Sequence, residues 1–313
     1  MRALVTGAAG FVGRHLTKLL RERGHAVTGL VHPNESGVDL GVGVERVAVD
    51  LLDDRGLGNA LEGAAPEMIF HLAAYSNPEG SRRQARQTLE VNVIGTENLL
   101  SSAAAGGGAP RTLLIGSSQQ YGLVGPEAQP IGEDAPQRPL SPYAVSKASQ
   151  ELLGLQYFLT DELPVYLTRS FNHTGPGQAD GYVCSSFARQ VVEAERGLRE
   201  PLIRVGNLEA RRDFTDVRDV AAAYLAIVER GRPGLPYNVC RGEAVSIRQV
   251  LDRLVALAST GVEVRVDEDR YHAVDVPLML GDSRRLREET GWAPSFSLEA
   301  TLEDLLEDWR ARL

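Results

Sequence analysis

The strongest constraint on this chain is an alternation. Through its first half, short apolar runs with strand character trade places with amphipathic helical patterns. Residues 2–5 read as a strand and residues 12–22 as a helix with one apolar face, and residues 25–31 and 44–49 follow as strands. Further buried runs lie at 68–72, 112–116 and 165–169, with helices expected over about 83–104 and from Pro142 onward. A parallel pair of strands needs a crossover, and a helix is the usual one. The expected fold class is therefore α/β, a doubly wound parallel sheet covered on both faces. After about residue 170 the alternation becomes irregular, with helices expected at 185–197, 217–230 and 298–312 and strands at 237–239 and 262–266. This divides the chain into a first domain, 1–170, and a smaller second one, 171–313, interleaved with it.

Charge narrows the partners. The 313 residues carry a net charge of -9, so no basic field exists to hold a nucleic acid, although a few placed arginines can still bind a compact anion. Cys184 and Cys240 lie far apart in sequence, which argues against a disulfide framework and fits a reducing cytoplasm. The apolar runs fall short of a membrane span, and Met1 runs directly into a strand-like segment with no cationic leader. The expectation is a cytoplasmic protein with neither nucleic-acid nor membrane partners. His15, His25, His32, His71, His173 and His272 show no ligand spacing, so no metal site is expected. One bias stands out: Lys18 and Lys147 are the only lysines.

The first strand-to-helix turn reads Thr6-Gly7-Ala8-Ala9-Gly10-Phe11-Val12-Gly13. Glycines permit a tight turn and let backbone approach a pyrophosphate at the positive end of a helix. The spacing is GxxGxxG, and its position in the first βα turn points to a dinucleotide. An acid at the end of the second strand would grip the ribose 2′-hydroxyl of NAD, but that end reads Leu30-Val31-His32-Pro33-Asn34. Arg14 and His32 would instead meet a 2′-phosphate, so NADP(H) is favoured, with NAD(H) as the alternative. Arg14 also fits a solvated helix position. Asp50 and Leu51, after the third strand, either hold the adenine edge or cap the next turn.

The most specific local feature is Ser141-Pro142-Tyr143-Ala144-Val145-Ser146-Lys147. Ser141 suits an N-cap and Pro142 the first helical position. Tyr143 and Lys147 then lie one turn apart on one helix face, where an ammonium favours phenolate and assists proton transfer. Upstream, the strand at 112–116 ends in Ser117-Ser118-Gln119. A hydroxyl at that edge can bond a substrate carbonyl, or a serine there can cap a turn.

Taken together, GxxGxxG, His71-Leu72-Ala73-Ala74, Asn92 in VNVIGT, the Ser117 strand end and YxxxK resemble the extended short-chain dehydrogenase/reductase family. The resemblance implies a Rossmann domain followed by a small nucleotide-sugar domain. It implies Ser117, Tyr143 and Lys147 as the catalytic triad, with Asn92 nearby. It implies cofactor contacts at Gly7, Gly10, Phe11, Val12, Gly13, Leu72, Ala73 and Ala74 besides Tyr143 and Lys147. It also implies a homodimer through the helices near 83–104 and 142–159; Leu89, Val93 and Leu100 form an apolar stripe there that core packing explains equally.

The segment Arg169-Ser170-Phe171-Asn172-His173-Thr174-Gly175-Pro176 resembles GDP-mannose 4,6-dehydratases and the related GDP-4-keto-6-deoxy-mannose reductases, as does residues 206–214. The likeness implies Asn172 on the sugar nucleotide and Arg212 on its diphosphate; the alternative for Arg212 is a pair with Asp213 or Asp216. Ser118, Gln119, Arg270 and Asp275 complete the expected substrate contacts. A 4,6-dehydratase needs a carboxylate to remove the C5 proton, and its motif has Glu where this chain has Gln119. An amide cannot serve as that base. The likeness thus implies reduction of the C4 ketone of a GDP-4-keto-6-deoxy-hexose, giving a GDP-6-deoxy-hexose such as GDP-D-rhamnose. The alternatives are a 4,6-dehydratase or another nucleotide-sugar C4 epimerase or reductase. One departure is His272, which occupies a position where the family pattern has a diphosphate-binding arginine.

Overall fold

The fold is taken from a computed structural model, which describes all residues except Asn77 and residues 268–275. The first half builds β1 (Arg2–Thr6), α1 (Phe11–Glu22), β2 (Ala26–Val31), β3 (Val44–Ala48), α2 (Asp54–Ala64) and β4 (Met68–His71). Next come α3 (Pro78–Arg83), α4 (Ala85–Leu89), a π-helical turn at Glu90–Ile94, α5 (Gly95–Ala105), β5 (Arg111–Ser117), α6 (Pro142–Thr160) and β6 (Val165–Ser170). The second half adds β7 (Asn172–Thr174), α7 (Val183–Glu195), β8 (Leu202–Val205), β9 (Arg211–Asp216), α8 (Val217–Arg230) and β10 (Pro236–Val239). It ends with β11 (Ala244–Ser246), α9 (Ile247–Ala256), β12 (Glu263–Val266), β13 (Leu278–Met279), α10 (Arg284–Thr290) and α11 (Leu298–Arg312).

Seven strands form one sheet in the order β10-β6-β5-β4-β1-β2-β3, with every pair parallel. β4 and β6 are buried at every position, which is why they read as continuous apolar runs rather than as alternations. On one face Leu16 and Leu20 of α1 pack with Tyr224 and Ile227 of α8 over Val5, Phe70 and Leu113. On the other, Leu57 and Leu61 of α2 and Leu99 of α5 pack over Leu4, Ile69 and Leu167. Burial of these aliphatic faces, at about 25 cal/mol per Å2 removed from water, holds the helices to the sheet.

β10 comes from the second half of the chain yet pairs with β6, and α8 lies against the same sheet face as α1. Leu286 of α10 joins the same core, and the remaining second-half elements form a lobe of their own. There β9 lies between antiparallel β11 and parallel β13 and also pairs with β7 in parallel, and β8 pairs with β12. Leu254 of α9 and Leu302 of α11 fill its core with Val191 and Ile203.

The helix expected over 83–104 is not continuous. Gln84 leaves helical geometry at φ -125°, and the chain widens into the π turn before α5 begins. Helices α2, α9 and α10 were not foreseen. α2 carries Gly56, Gly58 and Gly63, which weaken a helical pattern. α9 had a signal: Ser246 and Gln249 form a reciprocal capping box ahead of Ile247, Val250, Leu251 and Leu254.

Candidate active site

The carboxyl ends of the central strands set the site. Register aligns Thr6 with His71, and Ser117 with Ser170, along one edge of the sheet. Ligands bind at that edge in open parallel sheets. A cleft of about 1080 Å3 opens there.

Its first wall is the glycine turn. Gly7 has φ +66°, and a Cβ on it would lie 2.8 Å from Ala73 N, so only glycine lets the end of β4 come this close. A Cβ on Gly13 would lie 2.2 Å from Gly7 O, so no side chain fits where α1 packs back on the turn. Gly10 caps α1 without a side chain, and the first turn of the helix holds no acid. The N–H groups at that end are therefore open toward an anion in the cleft, a cradle that fits a dinucleotide pyrophosphate. Phe11 fixes the helix start by stacking on His173, with ring centroids 6.0 Å apart, and His15 Nε2 hydrogen-bonds Pro176 O at 2.8 Å.

A chain of buried hydrogen bonds runs under this wall. Ala73 N–H donates to Thr6 Oγ1 at 3.0 Å, and Thr6 Oγ1 lies 2.8 Å from His71 Nδ1. His71 Nε2 meets Thr96 Oγ1 at 2.9 Å, and that hydroxyl donates to Asn92 O at 2.6 Å. With the Thr96 proton committed to a carbonyl, His71 Nε2 is the donor, and in the neutral ring Nδ1 accepts from the Thr6 hydroxyl. Burial, reinforced by the Lys147 charge, pushes the His71 pKa down to about 3. Asn92 is also internal: its Oδ1 accepts from Tyr75 N at 2.7 Å and its Nδ2 donates to Ser146 Oγ at 2.8 Å. The π turn aims it there, tying the exit of β4 to α6.

The opposite wall carries the reacting groups. Ser141 caps α6 by accepting from Ala144 N, with Pro142 at the first helical position, so Tyr143 and Lys147 project side by side. Tyr143 hydrogen-bonds the Ser117 side chain; burial nevertheless pushes its phenol up to about 12, which keeps it protonated. Lys147 is 3% exposed, its Nζ donates to Ile115 O at 2.7 Å and Gln150 Oε1 at 2.9 Å, and burial pushes it down to about 7. Ser117 ends β5 and caps a short 3-10 turn, Ser118–Tyr121, in which its backbone N–H donates to Gln120 Oε1 at 2.7 Å. Gln120 Nε2 in turn donates to Glu151 Oε2 at 2.8 Å, and Glu151 is paired with buried Arg169.

The lining gathers most residues singled out from the sequence: Gly7, Gly10, Phe11, Val12 and Gly13; His32, Asp50 and Leu51; Leu72, Ala73 and Ala74; Ser117, Ser118 and Gln119; Tyr143, Lys147 and Asn172. His32 Nε2 and Asp50 Oδ2 face each other at 3.5 Å. Arg14 departs from the expectation: its Nε donates back to Ala9 O at 2.9 Å, and it is absent from the cleft lining. Arg212 does not reach this cleft. It lines a second cavity, of about 490 Å3, together with Arg204, Asn207 and Asn172, so Asn172 is shared by both. Arg270, His272 and Asp275 lie outside the described residues. Sequence reasoning passed over Glu35, Gln87, Glu90, Gln178, Tyr182 and Tyr224. Tyr224 had a signal, since an aromatic inside the buried helix pattern of 217–230 needs a partner for its hydroxyl, here Ser170 Oγ at 2.7 Å. No group of three or more His, Cys, Asp or Glu among the described residues could hold a metal ion.

A parallel sheet with a glycine cradle at its first turn, and a Ser–Tyr–Lys set facing that cradle, define an extended short-chain dehydrogenase/reductase. The chain belongs within it to the GDP-mannose 4,6-dehydratase family, whose model matches residues 4–305. It is 37% identical over 313 residues to the GDP-6-deoxy-D-mannose reductase of Pseudomonas aeruginosa, covering 100% of this chain and 98% of that protein. A solved structure of RMD from Pseudomonas aeruginosa complexed with NADPH superposes with a TM-score of 0.88 at 34% identity, covering both chains fully. The UDP-glucose 4-epimerase of Thermus thermophilus, solved in complex with NAD, superposes at 0.89 with 28% identity, again over the whole of both chains.

Proposed function

We propose that the protein is an NADP(H)-dependent reductase of the C4 ketone of GDP-4-keto-6-deoxy-D-mannose, forming a GDP-6-deoxy-hexose, GDP-D-rhamnose by the relatives' chemistry. The observation that carries this reading is the company kept by Ser117, Tyr143 and Lys147. They share one cleft with Gln119, and Gln119 stands where elimination would need a carboxylate. The carboxylates on the cleft wall are Glu35 and Asp50, beside the ends of β2 and β3, and Glu90, which accepts from Arg86 at 2.9 Å. The bound nicotinamide supplies hydride chemistry. Ser117 polarises the ketone oxygen. Tyr143, held protonated by burial, donates its proton to the alkoxide, and the Lys147 ammonium stabilises the phenolate left behind.

His32 and Asn34 on the cleft rim, and the likeness to an NADPH complex, support NADP(H) over NAD(H). The second cavity, with Arg204 and Arg212 on its wall, suits the nucleotide end of the substrate, Arg212 serving the diphosphate. Residues 1–170 would then form the cofactor domain and the lobe within 171–313 the substrate domain. Exposed Leu89, Ile94, Val145, Leu152 and Leu159 on α4, the π turn and α6 support a homodimer through these helices. No helix among the described residues is long and apolar enough to cross a membrane. The two buried, unpaired cysteines support a reducing, cytoplasmic setting.

The test is loss of NADPH absorbance with enzymatically prepared GDP-4-keto-6-deoxy-D-mannose. Oxidation of NADPH, with GDP-mannose alone left unchanged, is expected. Absence of oxidation with both NADPH and NADH overturns the reading, and conversion of GDP-mannose to a keto sugar turns it toward the dehydratase.

A further inference from the structure

Gln150 is a neutral amide 1% exposed, facing the sheet from α6. Its Nε2 is buried with no hydrogen-bond partner among the described residues. A buried amide with unused N–H groups costs free energy, and an aliphatic residue would avoid that cost at a position packed against a sheet. Among the described residues, the single bond its side chain makes is the one to Lys147 Nζ, at 2.9 Å. We propose that Gln150 is a positioning residue, holding the Lys147 ammonium charged and in place beside Tyr143 through its side-chain carbonyl.

The surroundings of Lys147 leave this task to Gln150. From β5 the Ile115 carbonyl is its other partner. From β4 the facing titratable group is His71, which burial keeps neutral. From α6 itself comes the Tyr143 phenol, and from α8 the Tyr224 phenol, bonded to Ser170 of β6. Among the described residues no carboxylate is bonded to the ammonium. Glu151, the next residue on α6, is engaged elsewhere: its oxygens accept from Arg169, Gln120 and Gln137. A lysine buried without a counter-ion tends to lose its proton. Acceptance by two carbonyl oxygens, one of them on a side chain, works against that loss.

The chain contains two lysines, so Lys147 can be watched directly in lysine-labelled protein by NMR, with exposed Lys18 as internal reference and Lys18→Arg for assignment. Gln150→Met removes the acceptor; Gln150→Glu keeps the shape and adds a charge. The expected result is a Lys147 titration midpoint lower by about one pH unit in Gln150→Met and higher by a similar amount in Gln150→Glu, with Lys18 unmoved. In steady-state assays the alkaline limb of kcat, where Lys147 loses its proton, moves the same way in each variant. If Gln150→Met does not fold, Gln150→Glu decides alone. Midpoints that coincide in all folded forms overturn the proposal. Its kinetic arm rests on the reductase reading, while the titration does not. Shifted midpoints without ketone reduction would leave the role of Gln150 standing and remove that reading.

Discussion

Two side chains, Tyr143 on the cleft wall and His71 buried beneath the glycine turn, carry opposite protonation demands. Tyr143 is buried and pushed up to about 12, so it stays a proton donor across the physiological range. Tyr143→Phe keeps the ring and removes that donor; kcat is expected to fall at least about 100-fold with folding intact. Near wild-type kcat would assign the acid elsewhere. His71 is neutral down to about 3, whereas an ordinary imidazole takes its proton near 6.5. Between those values the unfolded chain binds the extra proton, so stability is lost as pH falls through the window, by up to roughly 4–5 kcal/mol at its foot. Urea midpoints measured from pH 7 to 4.5 are expected to fall in the wild type and less steeply in His71→Gln, which starts weaker. Equal slopes would show that His71 does not titrate this way. Tyr143 and Lys147 were legible in sequence because helical spacing alone puts them together. The neutral state of His71 was not, because its partners Thr6 and Thr96 come from two other elements.

At the scale of elements, the inner strands of the large sheet were read well because burial on both faces leaves a continuous apolar run that no turn interrupts, whereas β7, β8, β9, β11 and β13, short or rich in polar and charged residues, were not foreseen. The helix expected over 83–104 misled for the same reason in reverse. Its periodicity is real on either side of the π turn, but the turn answers to Tyr75 and Ser146, bonds that no local pattern reveals. The coupling of α6 to β5 and β6 was equally hidden. Glu151 and Arg169 are separated by 18 residues, nearly buried, and paired at 2.6 and 2.9 Å. Glu151 also holds Gln120, which holds the backbone of Ser117. Glu151→Ala leaves the guanidinium buried without a counter-charge, so unfolding measurements should register a loss of about 3–5 kcal/mol. Adding Arg169→Met should recover part of it. A loss below about 1 kcal/mol would mean that water reaches Arg169.

At the scale of the whole molecule, the open question is how the outer face of α6 is covered. Leu152 is 62% exposed and Leu159 68%, large apolar groups on a helix whose other face is buried in the sheet. Leu152→Glu is expected to turn a dimer into a monomer by light scattering while the far-ultraviolet dichroism stays unchanged. A wild type that is already monomeric would refute the dimer.

The pairing of β10 with β6 has a consequence in time. β6 is buried at every position, but its neighbour on that side is synthesised only after β7, α7, β8, β9 and α8. At about 5–20 residues per second, the ribosome leaves Ser170 several seconds ahead of Pro236. During that interval the nascent sheet presents an apolar edge with unpaired backbone groups, the kind of edge that recruits other chains. This topology therefore leaves that edge exposed to other chains until Pro236–Val239 has been made.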